Sequence, residues 1–218
     1  MLSEQDTAAI DTIIKYWIGD ADTTPDAVKS KSKLWYRGGD TLDNDIRERF
    51  GALLTQAEAG ALDHWRDVAR GSLALIILFD QFSRNIYRGT DRAFRNDGKA
   101  ITVADHALSE NQHLSMGVVG CSFLLHPYHH AETLALQDLC VAGYEALMAR
   151  TSTEWHAQTQ SHLEYAVKHR KVIEQFGRFP HRNAVLGRES TEVASWTCLH
   201  RSPVIGQNLR PMAKLTSW

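Results

Sequence analysis

The sequence predicts an all-α protein made of antiparallel helical hairpins, arranged as a tetratricopeptide-like α–α superhelix. Apolar residues recur at helical spacing, no segment alternates apolar and polar residues as a half-buried strand would, and the connections are short. No tetratricopeptide consensus is legible, so the predicted likeness concerns helix arrangement alone. We expect residues 1–196 to form one helical domain and residues 197–218 to be an irregular extension, either natural or non-native.

Apolar stripes and end signals mark the first three helices. Thr24, Pro25 and Asp26 supply an N-cap, a proline at the first helical position and a first-turn acid for the second helix. We expect Thr41 to cap the third helix and Gly60 to close it. The stripe of the first helix consists of Ile10, Ile13, Ile14, Trp17 and Ile18.

The central segment is apolar without interruption from Leu73 to Phe79. Such a run also suits a buried strand, but no other segment offers a pairing partner, so we predict a helix that is apolar on all sides. Later helices are predicted after Asp91, over residues 128–150 and 154–175, and from Thr191, with a loop between the last two.

Composition excludes several classes of function. Lysine and arginine number 24 and aspartate and glutamate 26, a net charge of −2, so there is no basic field for a nucleic-acid partner. The longest apolar run is far short of the roughly 20 residues of a membrane span. Three cysteines without a CxxC pair, and an N-terminus without a secretory signal, favour a cytoplasmic protein with reduced thiols.

A first polar cluster follows the central apolar run. Asp80, Arg84 and Arg88 are four residues apart, so on a continuing helix they share one face with the carboxylate first, and Asn85 lies beside them. Charges next to a buried run must be paired or line a cavity. The cluster is therefore either an ion-pair network or an anion pocket, since arginine offers a fork of donors for carboxylate or phosphate.

A second cluster occupies the segment from the last long helix into the loop that follows it. Glycine, proline and aromatic residues indicate a rigid loop, which suits ligand binding because its geometry is set before the ligand arrives. The alternative is a structural lid whose arginines bind carbonyls at helix ends. The candidate residues are His169, Arg178, His181, Arg182, Asn183 and Arg188.

A third cluster contains His126, His129, His130 and Glu132. Imidazole and carboxylate are metal ligands, but HExxH is absent and Pro127 indicates a helix start that breaks the His126–His130 spacing. We therefore predict no metal and no cofactor. His130 and Glu132 remain candidates for acid–base chemistry.

The chain contains DQFSRNIYRG, HAETLALQ and FGRFPHRNAVLGREST. These segments resemble the motifs DQFPRNxxRG, HSEDxxxQ and FGRFPHRNxxLGRxST of a mainly bacterial family, domain of unknown function nine-two-four, from about Ile13 to Trp196. The resemblance implies an all-helical, tetratricopeptide-like fold and no established activity. Ser83, Ala131 and Thr133 replace the usual Pro, Ser and Asp, and Ser83 favours a longer central helix.

We expect the three clusters to converge on one arginine-rich pocket that binds a small phosphorylated or carboxylated molecule, and hydrolysis of that molecule is a further hypothesis. In an enzyme, His130, His169 or His181 would be the general base, and Glu132 or Asp80 would orient the imidazole. One alternative is a helical scaffold that binds a protein partner. A second alternative is a metal-dependent hydrolase.

Overall fold

The computed structural model describes residues 2–36 and 38–190, and over these ranges it contains helices and no strand, which confirms the all-α prediction. The tetratricopeptide-like arrangement stays a prediction. No helix among the described residues is long and apolar enough to cross a membrane. The predicted helix at Thr191 and the extension over residues 197–218 lie outside the described residues. The α-helices of the described residues are α1 (Glu4–Trp17), α2 (Pro25–Tyr36), α3 (Asp40–Glu58), α4 (Ala69–Ile76), α5 (Ser83–Ile86), α6 (Asp97–Ser109), α7 (Val118–His129), α8 (Leu134–Arg150) and α9 (His156–Phe176).

The first three helices match their predicted stripes and signals with one exception. All five predicted stripe residues of α1 are buried. Thr24 caps α2, since its hydroxyl accepts from the amide of Ala27 at 3.2 Å. The prediction that Thr41 caps α3 is wrong. The helix begins at Asp40, because Gly39 is extended and its carbonyl already accepts from the amide of Asp43.

The central apolar segment is a helix, as predicted, and it runs without a break from Ala69 to Ile86. Its middle, Ile77–Phe82, is a π-helical turn between α4 and α5. The amide and the hydroxyl of Ser83 both reach back to the carbonyl of Leu78, five residues earlier. The helix therefore continues through Ser83, and every residue from Gly71 to Ile86 except Gln81 is buried.

The second half of the fold consists of α6 to α9, with α8 packed against both α7 and α9. Pro127 lies inside α7, which ends at His129, so the prediction of a helix starting at Pro127 is wrong. Packing outweighs the weak local preference of proline for a helix start, because Pro127 is buried. The chain instead turns between His129 and Leu134, and this turn carries two of the candidate residues.

The segment after α9 is a loop with one short 3₁₀ turn, Pro180–Arg182, as predicted apart from that turn. Phe179 is 1% exposed and anchors the loop to the core. The loop and the turn between α7 and α8 meet, since Glu132 accepts from the amide of Phe179 at 2.8 Å. Two polar segments that are distant in sequence therefore form one wall.

Candidate functional site

The centre of the site is a buried carboxylate, Asp80, supplied by the π-helical turn. It is 0% exposed and accepts a hydrogen bond from Nδ1 of His130 at 2.7 Å. Arg84 lies one turn later, with Nη1 at 3.1 Å from Asp80 Oδ1 and Nη2 at 3.0 Å from Asp97 Oδ1. The result is a continuous chain of four side chains, His130, Asp80, Arg84 and Asp97.

The charge states of these four side chains follow from burial and neighbouring charges. Burial by itself would raise the pKa of Asp80, but Arg84 and His130 outweigh it and hold that pKa well below its usual range. Burial lowers the pKa of His130 despite the opposing effect of Asp80. His130 is thus a neutral imidazole that donates Nδ1–H to a carboxylate, which leaves the lone pair on Nε2 free.

An open cavity of about 440 Å³ is lined by two of these four side chains, His130 and Asp97. Its volume is in the range of small-molecule sites. Its wall combines charged and apolar groups. The charged and imidazole side chains are Asp91, Arg95, Asp97, His130, Glu132 and Arg182. The large apolar side chains are Phe94, Ile101, Leu136 and Leu186.

Arg182 differs from the other arginines near the cavity because it lacks a close partner. Arg182 is 6% exposed, and its nearest carboxylate oxygens, on Asp97 and Glu132, lie 3.7 and 4.0 Å from Nη1. Its Nε has no hydrogen-bond partner among the residues that the structure describes. The guanidinium lies between the rings of Phe94 and Phe179, 4.8 and 4.6 Å from their centroids. Burial and the nearby Arg84 lower the pKa of Arg182 to about 10, so it stays charged at neutral pH.

Glu132 binds the loop that follows α9. The prediction that Glu132 orients the imidazole of a general base is therefore wrong. Both oxygens of Glu132 accept from Arg188, with Nη2 at 3.0 Å from Oε1. Glu132 also accepts from the amide of Phe179. The other predicted partner, Asp80, is the carboxylate that binds His130. Arg188 is therefore neutralised by a bidentate pair, while Arg182 is not.

Asn85 and Arg88 belong to a different network, which corrects the expectation that Arg88 shares a face with Asp80. The helix ends at Ile86, so Arg88 leaves the helical face, and its Nε donates to Asp43 of α3 at 2.6 Å. Asn85 donates to the same carboxylate at 2.8 Å. These contacts are structural, because Asp43 is itself buried and ties α3 to α5.

Two loop residues also fall outside the cavity wall. Arg178 is exposed and makes no ion pair within the described part of the chain. Asn183 is buried and donates to the hydroxyl of Ser190 at 3.1 Å, so it braces the loop from within. Neither residue is placed to bind a ligand in this cavity.

His169 and His181 are not part of the cavity wall. His169 is buried against His129, with ring centroids 3.9 Å apart, and its Nδ1 faces the carbonyl of Tyr165 at 3.0 Å. His181 packs on Phe179. Both nitrogens of His129 are buried and without a hydrogen-bond partner. No three His, Cys, Asp or Glu side chains of the described residues are placed to hold a metal ion.

Three histidines, of which His169 is buried and His162 and His181 are half-buried, predict acid lability. Burial lowers the pKa of His162, His169 and His181 to about 4 each. An unfolded histidine titrates near 6.5, so below that pH the unfolded chain binds more protons than the folded chain does. The free energy of unfolding therefore decreases as the pH falls towards 4. Chemical denaturation at a series of pH values between 7 and 4.5 should show a steep decline in the free energy of unfolding.

Replacing one of these histidines tests the cause of that decline. His169→Gln is expected to reduce the slope of the free energy of unfolding against pH by about 1.4 kcal/mol per pH unit below pH 6, which is the value for one proton. The control is His156→Gln, because His156 is exposed and should leave the slope unchanged. Equal slopes for both variants and the wild type would contradict the prediction.

Sequence reasoning missed Asp97 and Phe94. Asp97 begins α6 and bonds Arg84, and Phe94 stacks on Arg182. Phe94 ends the short 3₁₀ turn Asp91–Phe94 and Asp97 lies three residues later, in a segment that carries only generic helix-start signals. Their roles depend on tertiary packing, and no local pattern indicates them.

Fold and site together define an all-α protein with an open pocket lined by arginine, histidine and carboxylates. Residues 13–195 match the model of a family described as bacterial protein of unknown function (DUF924), and the chain belongs to this family. A solved structure of a protein of unknown function, ATU0120 from Agrobacterium tumefaciens, is 30% identical, with a TM-score of 0.74 over 88% of this chain and 97% of that one. No curated protein matches the chain.

Proposed function

We propose that the protein binds a small anionic molecule, phosphorylated or carboxylated, in the cavity at Arg182. One observation carries the proposal: a guanidinium that is 6% exposed and lines an open cavity has no carboxylate oxygen closer than 3.7 Å. A buried cation is costly unless it is paired, and an anion in the cavity would pair it. The guanidinium packs on the rings of Phe94 and Phe179, and its planar fork of donors suits a bidentate contact with an oxyanion.

Replacing Arg182 with methionine is expected to weaken phenyl phosphate binding at least about ten-fold, because a charge-assisted pair is lost. Thermal unfolding with and without the ligand measures this, since a ligand of the native state raises Tm. Arg178→Met is the matched control, as it removes an exposed arginine from the same loop. Unliganded Tm values report folding. A wild-type shift that persists in Arg182→Met would refute the proposal.

A second candidate function, hydrolysis of the bound anion, is favoured by His130, which lines the cavity and is hydrogen-bonded to the buried carboxylate of Asp80. Nε2 of His130 would take a proton from water, and the hydroxide oxygen would bond to the electrophilic carbon or phosphorus while the leaving group departs with its electron pair. Asp80 stabilises the imidazolium that forms, and arginine stabilises the developing negative charge.

His130→Gln is expected to lower turnover of p-nitrophenyl phosphate or p-nitrophenyl acetate by about 10²–10⁴-fold, the usual contribution of a general base. Release of p-nitrophenol is the readout, and His156→Gln is the control. Binding of phenyl phosphate should survive in His130→Gln. Turnover at the wild-type rate in this variant, or no turnover by the wild type, would contradict hydrolysis and leave anion binding standing.

A further inference from the structure

The N-terminal turn of α8 opens onto the same cavity. Thr133, at the N-cap position, lines the cavity, and its side chain makes no capping hydrogen bond. The first amides of a helix have no intrahelical acceptor and carry the positive end of the helix dipole. A helix start of this kind is suited to an anion.

Arg182 lines the same cavity. It is 6% exposed, its Nε lacks a hydrogen-bond partner, and it lines the cavity together with Thr133 and Leu136 of the α8 start. An uncapped helix start and an under-paired guanidinium thus share one small space. Both are complementary to an oxyanion.

The cavity wall also has an apolar part, beside the charged and imidazole side chains named above. Phe94, Ile101, Leu136 and Leu186 are each half-buried, and all four line the opening. Inorganic phosphate would leave this surface in contact with water. A ligand that also covers it gains the free energy of apolar burial.

We propose that the ligand is an oxyanion on an apolar body, an inference that rests on the anion binding proposed above. The phosphate or carboxylate head lies between Arg182 and the first amides of α8. The body lies against Phe94, Ile101 and Leu186. The ligand class is therefore small aryl or alkyl phosphates and carboxylates.

Calorimetric titration of the full chain with four probes tests the apolar body and the head. Phenyl phosphate is expected to bind at least about ten-fold more tightly than inorganic phosphate, because a phenyl ring is buried. Benzyl alcohol, without a charge, should not bind. If phenyl phosphate binds more tightly than benzoate, the head is a phosphate, and the reverse order assigns a carboxylate; both orders support the proposal.

Leu186→Gln should reduce the advantage of phenyl phosphate over inorganic phosphate to less than about three-fold. Leu139→Gln is the control, since Leu139 is an exposed leucine of α8 outside the cavity wall. Equal affinities of the wild type for the two phosphates would overturn the apolar body and leave anion binding intact. If no anion binds, the proposed function itself is refuted.

Thr133→Asp tests the helix start directly. A carboxylate at the N-cap bonds the free amides and repels an anion, so phenyl phosphate should bind at least about ten-fold more weakly while the unliganded Tm is unchanged or higher. Thr133→Ser keeps a neutral hydroxyl and should bind as the wild type does. Wild-type affinity in a folded Thr133→Asp variant would overturn the placement of the head.

Discussion

Replacing Asp80 with alanine is expected to lower the free energy of unfolding by about 3–5 kcal/mol, the cost of removing one partner from a buried ion pair. The carboxylate is 0% exposed, accepts a hydrogen bond from His130 and forms an ion pair with Arg84 at 3.1 Å. Among the described residues, its loss leaves the guanidinium of Arg84 with Asp97 as its remaining carboxylate partner. The loss also removes the group that fixes the ring of His130.

Urea denaturation at pH 7 measures this effect. The matched control is Asp91→Ala, because Asp91 forms an exposed i, i+4 pair with Arg95 at 3.0 Å. Exposed pairs of this kind contribute about 0.3–0.5 kcal/mol. An Asp80→Ala variant no less stable than Asp91→Ala would show that the carboxylate does not organise the centre of the fold.

Replacing Gly71 with alanine is expected to cost about 3 kcal/mol, the upper end of the overpacking range. A Cβ at Gly71 would lie 2.0 Å from the carbonyl oxygen of Trp65 and 2.8 Å from its carbonyl carbon. These are backbone atoms, so no rotamer change relieves the clash. The start of α4 would have to move away from the preceding 3₁₀ turn, Asp63–Asp67.

Gly51→Ala is the control for that substitution. Gly51 lies inside α3, and its nearest neighbour to a new Cβ is Arg47 Cγ at 3.9 Å, an ordinary contact. Alanine there should raise the free energy of unfolding by about 0.5–1 kcal/mol, the difference in helix propensity. If both variants had equal unfolding midpoints in urea, the close approach at Gly71 would be refuted.

Most helices could be predicted from apolar spacing, since the stripe of α1 and the apolar run of α4 must be buried whatever the tertiary arrangement. The π-helical turn Ile77–Phe82 could not be predicted, because one extra residue in a turn leaves no compositional signal. The break after His129 could not be predicted either. Local rules place proline at a helix start, whereas packing accommodates Pro127 inside α7.

The candidate site could be predicted in part. The i, i+4 spacing indicated the pair of Asp80 and Arg84, which the structure contains. The partners of Arg88 and Arg188 lie 45 and 56 residues away in sequence, at Asp43 and Glu132, and no local pattern carries such pairings. For the same reason the sequence could not distinguish Arg182, at the cavity, from Arg178, at the surface.

A crystal structure of the protein grown with phenyl phosphate would show whether the cavity holds an oxyanion at Arg182. We predict phosphate oxygens within hydrogen-bond distance, about 2.7–3.2 Å, of the Arg182 guanidinium and of the first amides of α8. The phenyl ring should lie against Phe94 and Leu186. Density for the ligand at exposed arginines such as Arg178, with the cavity empty, would contradict the claim.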